Sequence, residues 1–154
     1  FRSLKLSTFE EDLNINFLSM VKSLQKVINN LKKSGNSSVV LFSTVAVKVG
    51  MPFHTSVSAS KGAIEGFARS LAAEYAPGLR VNVVAPSLTD TPMAERFLNN
   101  ELKKEKVGSK HPLKRHGNPN DIANSVVHLL SDNSSWITGQ IFGIDGGMSS
   151  INLS

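Results

Sequence analysis

The run Ile64-Glu65-Gly66-Phe67-Ala68-Arg69-Ser70-Leu71-Ala72-Ala73-Glu74-Tyr75, closed by Pro77-Gly78 and followed by Val81-Asn82-Val83-Val84-Ala85-Pro86, decides the fold. Ile64, Phe67, Ala68, Leu71, Ala72 and Tyr75 recur at helical spacing, which predicts a helix over about 56–76 with one apolar stripe. Val81 to Ala85 reads as a short strand covered on both faces, ended by Pro86. A second stripe on the helix, Ala59, Gly62, Ala63, Gly66 and Ala73, is small. Each glycine inside a helix costs about 1 kcal/mol relative to alanine, which close approach of another backbone offsets.

The same alternation continues outward. Upstream, Leu13, Phe17, Met20, Val21, Leu24, Val27, Ile28 and Leu31 predict an amphipathic helix over about 9–33. Thr8 and Glu11 read as its capping box, and Lys32, Lys33 and Gly35 as its basic last turn and left-handed stop. Val39–Phe42 follows as a strand. Downstream, residues 87–118 lack a sustained period and contain Pro92, Gly108, Pro112 and Gly117, a long irregular segment of the kind that serves as a lid. Asn118 and Pro119 then cap and open a third helix with Ile122, Val126, Leu129 and Leu130 inside, and Gln140–Ile144 is a last short strand. Helices alternating with strands predict an α/β fold with parallel strands, right-handed crossovers and helices on both faces.

Composition narrows the function. The 154 residues, 40% of them hydrophobic, are those of one ordinary globular domain. The longest apolar run, Val39–Phe42, falls far short of the roughly 20 residues that cross a bilayer, so no membrane role is expected. The absence of cysteine suits a reducing, cytoplasmic setting and leaves no thiolate metal site. Net charge is +5, and Lys103, Lys104, Lys106, Lys110, Lys114 and Arg115 crowd one stretch. Glu101 and Glu105 interrupt that stretch and no aromatic side chains are interleaved with it, which argues against nucleic acid and for a solvated loop or short helix.

Ser58-Ala59-Ser60-Lys61-Gly62-Ala63, Arg69-Ser70-Leu71-Ala72-Ala73-Glu74, Leu79-Arg80-Val81-Asn82-Val83-Val84-Ala85-Pro86, Gly139-Gln140 and Asp145-Gly146-Gly147 stand in an order and spacing that resembles the C-terminal part of a short-chain dehydrogenase/reductase. The resemblance runs from Asn16 to Gly147. It implies a Rossmann-type sheet and hydride transfer between NAD or NADP and a carbonyl or alcohol. In that family a tyrosine handles the proton and a lysine four residues later, on the same helical face, serves it and holds the nicotinamide ribose. Lys61 matches the lysine, but Val57 stands at the tyrosine position. Tyr75, the one tyrosine, lies roughly 20 Å farther along the helix and cannot substitute. His54, just before the helix, is the nearest group that can act as acid or base at neutral pH; the plainer alternative is a residue of the pocket rim.

By the same resemblance Thr44, beside Ser43, takes the place of the serine that bonds the reacting oxygen, and its hydroxyl keeps the donor. Asn16 takes that of an asparagine holding a relay water. Pro86, Thr89 and Thr91 correspond to the segment that meets the nicotinamide carboxamide, with Ser87 replacing a glycine and strained if the backbone there needs a positive φ. The Gly-rich phosphate turn of the family is not in this sequence, nor is the residue that selects NAD or NADP. The resemblance therefore implies a partial domain over 1–154, lacking four strands of its parent, with three strands, an open sheet edge and weak dinucleotide binding by itself. It also implies a homodimer or homotetramer. A second functional class stays open beside the oxidoreductase: a pseudoenzyme that binds cofactor or builds an oligomer, with Val57 marking lost chemistry.

Overall fold

The computed structural model describes residues 1–152. Its elements are α1 (Leu6–Asp12), a π-helical segment (Leu13–Leu18), α2 (Ser19–Ser34), β1 (Ser37–Phe42), α3 (Val45–Val49), α4 (Thr55–Tyr75), β2 (Leu79–Pro86), a 3-10 turn (Pro92–Ala94), α5 (Glu95–Leu98), α6 (Glu101–Gly108), α7 (Pro119–Leu130), a second 3-10 turn (Asp132–Ser134) and β3 (Ile141–Ile144). The three strands run parallel in the order β1-β2-β3, with Val39 beside Val81 and Val83 beside Ile141. Helices cover both faces, so the α/β arrangement read from the alternation of elements holds. Among the described residues β1 and β3 each pair on one side, which leaves two open edges rather than one.

Burial follows from side-chain alternation along β2. Leu79, Val81 and Val83 join Leu41 of β1 under α4, where Ile64, Ala68, Leu71 and Ala72 supply the helical stripe; Phe17, Met20 and Leu24 flank this core. Phe17 meets Phe67 edge to face at 5.8 Å between ring centres. On the opposite face Val84 packs with Ile122 and Leu129 of α7. The buried polar residues of β2 find their partners across the same face, except for the Nε of Arg80, which has none among the described residues. Arg80 donates to the Leu129 and Ser131 carbonyls at the end of α7 and to Ser134 Oγ. Asn82 donates to the Ile137 carbonyl and accepts from the Gln140 N–H.

Several boundaries move. The first helix starts at Leu6 behind Lys5, which provides no side-chain cap, so Thr8 lies inside the first turn and the Thr8–Glu11 capping box does not form. Gly35 does end it in the left-handed conformation, at φ 73°. Residues 87–118 are less irregular than their sequence suggests. α6 forms because Asn100 caps it, accepting from the Lys103 N–H at 2.9 Å, although its two apolar side chains, Leu102 and Val107, make no stripe. α7 carries a complete capping box between Asn118 and Asp121.

Asp121 also holds Arg115 through two hydrogen bonds, at 2.6 and 2.9 Å. That pairing and the Asn118 N–H bring its carboxyl down to about 2. A carboxylate depressed on folding stabilises above its unfolded pKa of about 4 and loses that contribution as pH falls toward 2. Urea titrations over this acid range should show a stability loss that is smaller in Asp121→Asn, and high salt should shrink the difference because the pair is solvent-facing.

Candidate functional site

Three parallel strands put their carboxyl ends on one rim of the sheet, the rim at which open α/β sheets bind ligands. Thr44, two residues past β1, is the N-cap of α3, and its Oγ1 accepts from the Ala46 N–H at 3.3 Å, so the hydroxyl proton stays available for donation. Ser43 beside it is buried and commits its proton to Glu65 Oε1 at 2.6 Å.

α4 brings Lys61 to the same rim. Its Nζ donates to the Phe42 carbonyl, the last of β1, at 3.1 Å, and partial burial lowers its pKa below that of a free lysine. Val57 sits one turn earlier. Next to it, Ser56 is buried and bonds the Asp12 carboxylate, locking the start of α4 to α1. The π-helical segment also packs on α4 and contains Asn16, whose Nδ2 donates to the Asp12 carbonyl at 3.1 Å. A π turn of this kind is often found at functional sites. His54 lies exposed ahead of α4, with Nδ1–H donating to the Pro52 carbonyl at 2.7 Å; that fixes its neutral tautomer and leaves Nε2 as the acceptor.

The loop after β2 is held from one side. Gly117 donates to the Leu88 carbonyl at 3.0 Å and accepts from the Asp90 N–H at 2.9 Å in a parallel bridge to Thr89. The N–H and C=O of Thr89 therefore face away from Gly117. The carbonyl takes a long 3.4 Å bond from Thr91 Oγ1, and the N–H has no hydrogen-bond partner among the described residues. A side chain at Gly117 would crowd Thr89 Oγ1 at 3.2 Å, which explains the glycine. Pro86 ends β2 opposite Ile144. Ser87 keeps a negative φ, so the strain expected from the missing glycine does not arise: among the described residues the non-glycines with positive φ are Phe53 and Lys114.

Ser87 instead takes a partner the sequence did not announce. Its Oγ lies 2.8 Å from Nε2 of His111, which is 3% exposed. Nδ1 of that ring donates to the Val107 carbonyl at 2.9 Å, so Nε2 is the acceptor and the serine the donor in the neutral pair. The two face a cleft of about 340 Å³ that Leu113, His116, Gly117 and Asp145 also line. This cleft lies on the β3 side of the loop, whereas Lys61 and Thr44 lie at the end of β1. No group of three or more His, Asp or Glu among the described residues could hold a metal ion, and no helix there is long and apolar enough to cross a membrane.

Comparison with known proteins assigns this arrangement, since residues 1–149 match the family described as enoyl-(acyl carrier protein) reductase. The chain belongs to the short-chain dehydrogenase/reductase family. Among its relatives in that family, the 3-oxoacyl-[acyl-carrier-protein] reductase of Thermotoga maritima is 38% identical over 144 residues, 90% of this chain and 58% of that protein. The inactive 2-(S)-hydroxypropyl-CoM dehydrogenase 2 of Xanthobacter autotrophicus is 32% identical over 152 residues, 96% of this chain and 66% of the other. The ligand-free aldohexose dehydrogenase of Thermoplasma acidophilum superposes with a TM-score of 0.92 at 29% identity, covering 100% of this chain and 64% of its own. The chain thus spans under two thirds of the length of each short-chain dehydrogenase/reductase named here.

The Ser87–His111 pair gives a measurable consequence. Ser87→Ala would leave Nε2 of a buried imidazole without a partner, and chemical denaturation should record a loss of about 1–3 kcal/mol.

Proposed function

We propose that the protein is an NAD- or NADP-dependent oxidoreductase that interconverts a carbonyl and an alcohol. The observation that carries this reading is the loop after β2, where Gly117 fixes Leu88 and Asp90 and leaves the Thr89 N–H turned the other way, without a partner among the described residues. A nicotinamide carboxamide offers the acceptor such a group lacks. Pro86 and Thr91 bracket this position, and Lys61 stands at the end of the neighbouring strand with two of its three Nζ protons uncommitted after the bond to Phe42. Those residues fit the nicotinamide end of the dinucleotide, which when bound would supply or accept the hydride.

The chain's own residues would manage orientation and protons. The free proton of Thr44 suits a reacting oxygen, and Asn16 on the π turn suits an ordered water. Lys61, its pKa lowered by burial, gives up a proton more readily than a solvated lysine and still favours a ribose hydroxyl. His54 can contribute through Nε2 alone, from an exposed position.

One observation favours a second reading. Val57 offers no proton one turn from Lys61, and a relative of this chain is described as inactive, in line with a pseudoenzyme that binds cofactor or builds an oligomer. Introducing the phenol separates the two. In the full-length protein with NADPH and a panel of small ketones, Val57→Tyr should raise kcat by about 10²–10⁴ if the remaining groups are arranged for reduction. No turnover in either form, with NADPH binding intact, favours the pseudoenzyme.

Assembly as a homodimer or homotetramer belongs to the same proposal, as does a cytoplasmic setting. Gly66 lies exposed on α4, and a β-carbon placed on it would meet nothing within 4 Å, so the cost of this helical glycine is not offset inside the chain. A partner helix would offset it. Gly66→Glu should then lower the mass measured by light scattering to that of a smaller species while leaving the circular dichroism spectrum unchanged.

A further inference from the structure

Ser87 and His111 stand apart from the groups at the end of β1 and form a constellation of their own. Among the described residues Ser87 carries the one serine hydroxyl bonded to an imidazole: its Oγ donates to Nε2 at 2.8 Å, a better acceptor than the Met148 Sδ at 3.6 Å. The ring is oriented from behind. Its Nδ1–H donates to the Val107 carbonyl at 2.9 Å, and Gly146, at φ 61°, packs so closely that a β-carbon there would lie 3.6 Å from the ring. A hydroxyl, a base within hydrogen-bond reach and a third group that fixes the base are the parts of an activated serine nucleophile.

A fourth part follows in the chain. The N–H of Leu88, the residue after Ser87, has no hydrogen-bond partner among the described residues, and Leu88 lines the cleft that Ser87 and His111 face. An amide in that position is one that can receive the negative oxygen formed when a carbonyl is attacked. The cleft, about 340 Å³, has room for a small molecule. Of its charged side chains, Arg115 is held by Asp121, and Asp145 receives the N–H groups of Gly147 and Ser149 at 2.9 and 3.1 Å. No lysine lines it, and Leu88, Leu113 and Ile144 add apolar surface. Such a lining favours an uncharged molecule over an acid.

We propose that Ser87 and His111 are the nucleophile and general base of an esterase site for small uncharged esters, separate from the nicotinamide end of the rim. Ser87 Oγ bonds the ester's carbonyl carbon as its proton passes to His111 Nε2, and the carbonyl oxygen is held by the Leu88 N–H. The bond from that carbon to the alcohol oxygen then breaks, and the alcohol leaves with the proton from Nε2. Water adds to the acyl-serine and gives Nε2 a proton. The bond to Oγ breaks, Oγ recovers that proton, and the carboxylic acid departs. One water is consumed and nothing is oxidised or reduced, so the activity needs no dinucleotide and stands independently of the oxidoreductase reading.

The full-length protein, treated with diisopropyl fluorophosphate and digested for mass spectrometry, should carry the phosphoryl adduct on Ser87. Without NADPH it should hydrolyse p-nitrophenyl butyrate, and the labelled protein should not. His111→Gln still offers an acceptor but cannot take a proton; it should slow hydrolysis by about 10²–10⁴-fold and suppress the label. Ser87→Gly should lose both. No label, a label on another residue, a label without ester turnover, or hydrolysis that His111→Gln leaves unchanged would each overturn the proposal. The label is read on the unsubstituted protein, so a variant that fails to fold does not remove the test.

Discussion

The structure depends on the burial of β2 from both sides. Val81, Val83 and Val84 have no solvent exposure, and a strand in that position must satisfy every polar group it carries. Its two polar side chains do this by reaching sideways, all but the Nε of Arg80, which is buried without a partner among the described residues. Arg80 gathers the carbonyls at the end of α7, where its charge also complements the helix dipole, and Asn82 bonds the connection into β3. The last long helix, the third strand and the loop beyond Pro86 are thereby placed relative to one strand.

That placement also gives order to the rim where the strands end. Lys61 is anchored to β1, Thr44 begins the helix after β1, and the Thr89 loop leaves the end of β2. Each of these groups is attached to a strand end in a fixed parallel register, which the valine at residue 57 leaves undisturbed. Ser43 and Ser56 reinforce this by pinning α4 to β1 and α1 through Glu65 and Asp12.

The sequence disclosed what periodicity and end chemistry can express. The stripe of α4, the buried run of β2, the Gly35 stop and the Asn118 cap all appear where their residue types require them. The Thr8–Glu11 box failed because any capping residue competes with helical turns that form upstream of it, here from Leu6. α6 was left open between loop and short helix because a helix capped by Asn100 but lacking an apolar stripe has no period to detect. Motif spacing singled out Lys61, Thr44 and the 86–91 loop, which the fold brings to the ends of β1 and β2. It could not reveal the Ser87–His111 bond, whose partners are 24 residues apart and meet only through the fold, although a serine in place of an expected glycine was a hint that something had to receive its hydroxyl.

The π-helical segment around Asn16 has an implication for how tightly this chain's length is constrained. Such a turn accommodates one residue more than regular winding would. Excising a single residue between Leu13 and Leu18 would let the segment close into regular winding with α1 and α2 keeping their facing, a change of length that an ordinary helix could absorb only by turning everything beyond it by about 100°. Asn16, bonded to the Asp12 carbonyl, and Phe17, set against the Phe67 ring, lie within the stretch that would rewind, whereas the stripe from Met20 to Leu31 would hold its place on the core.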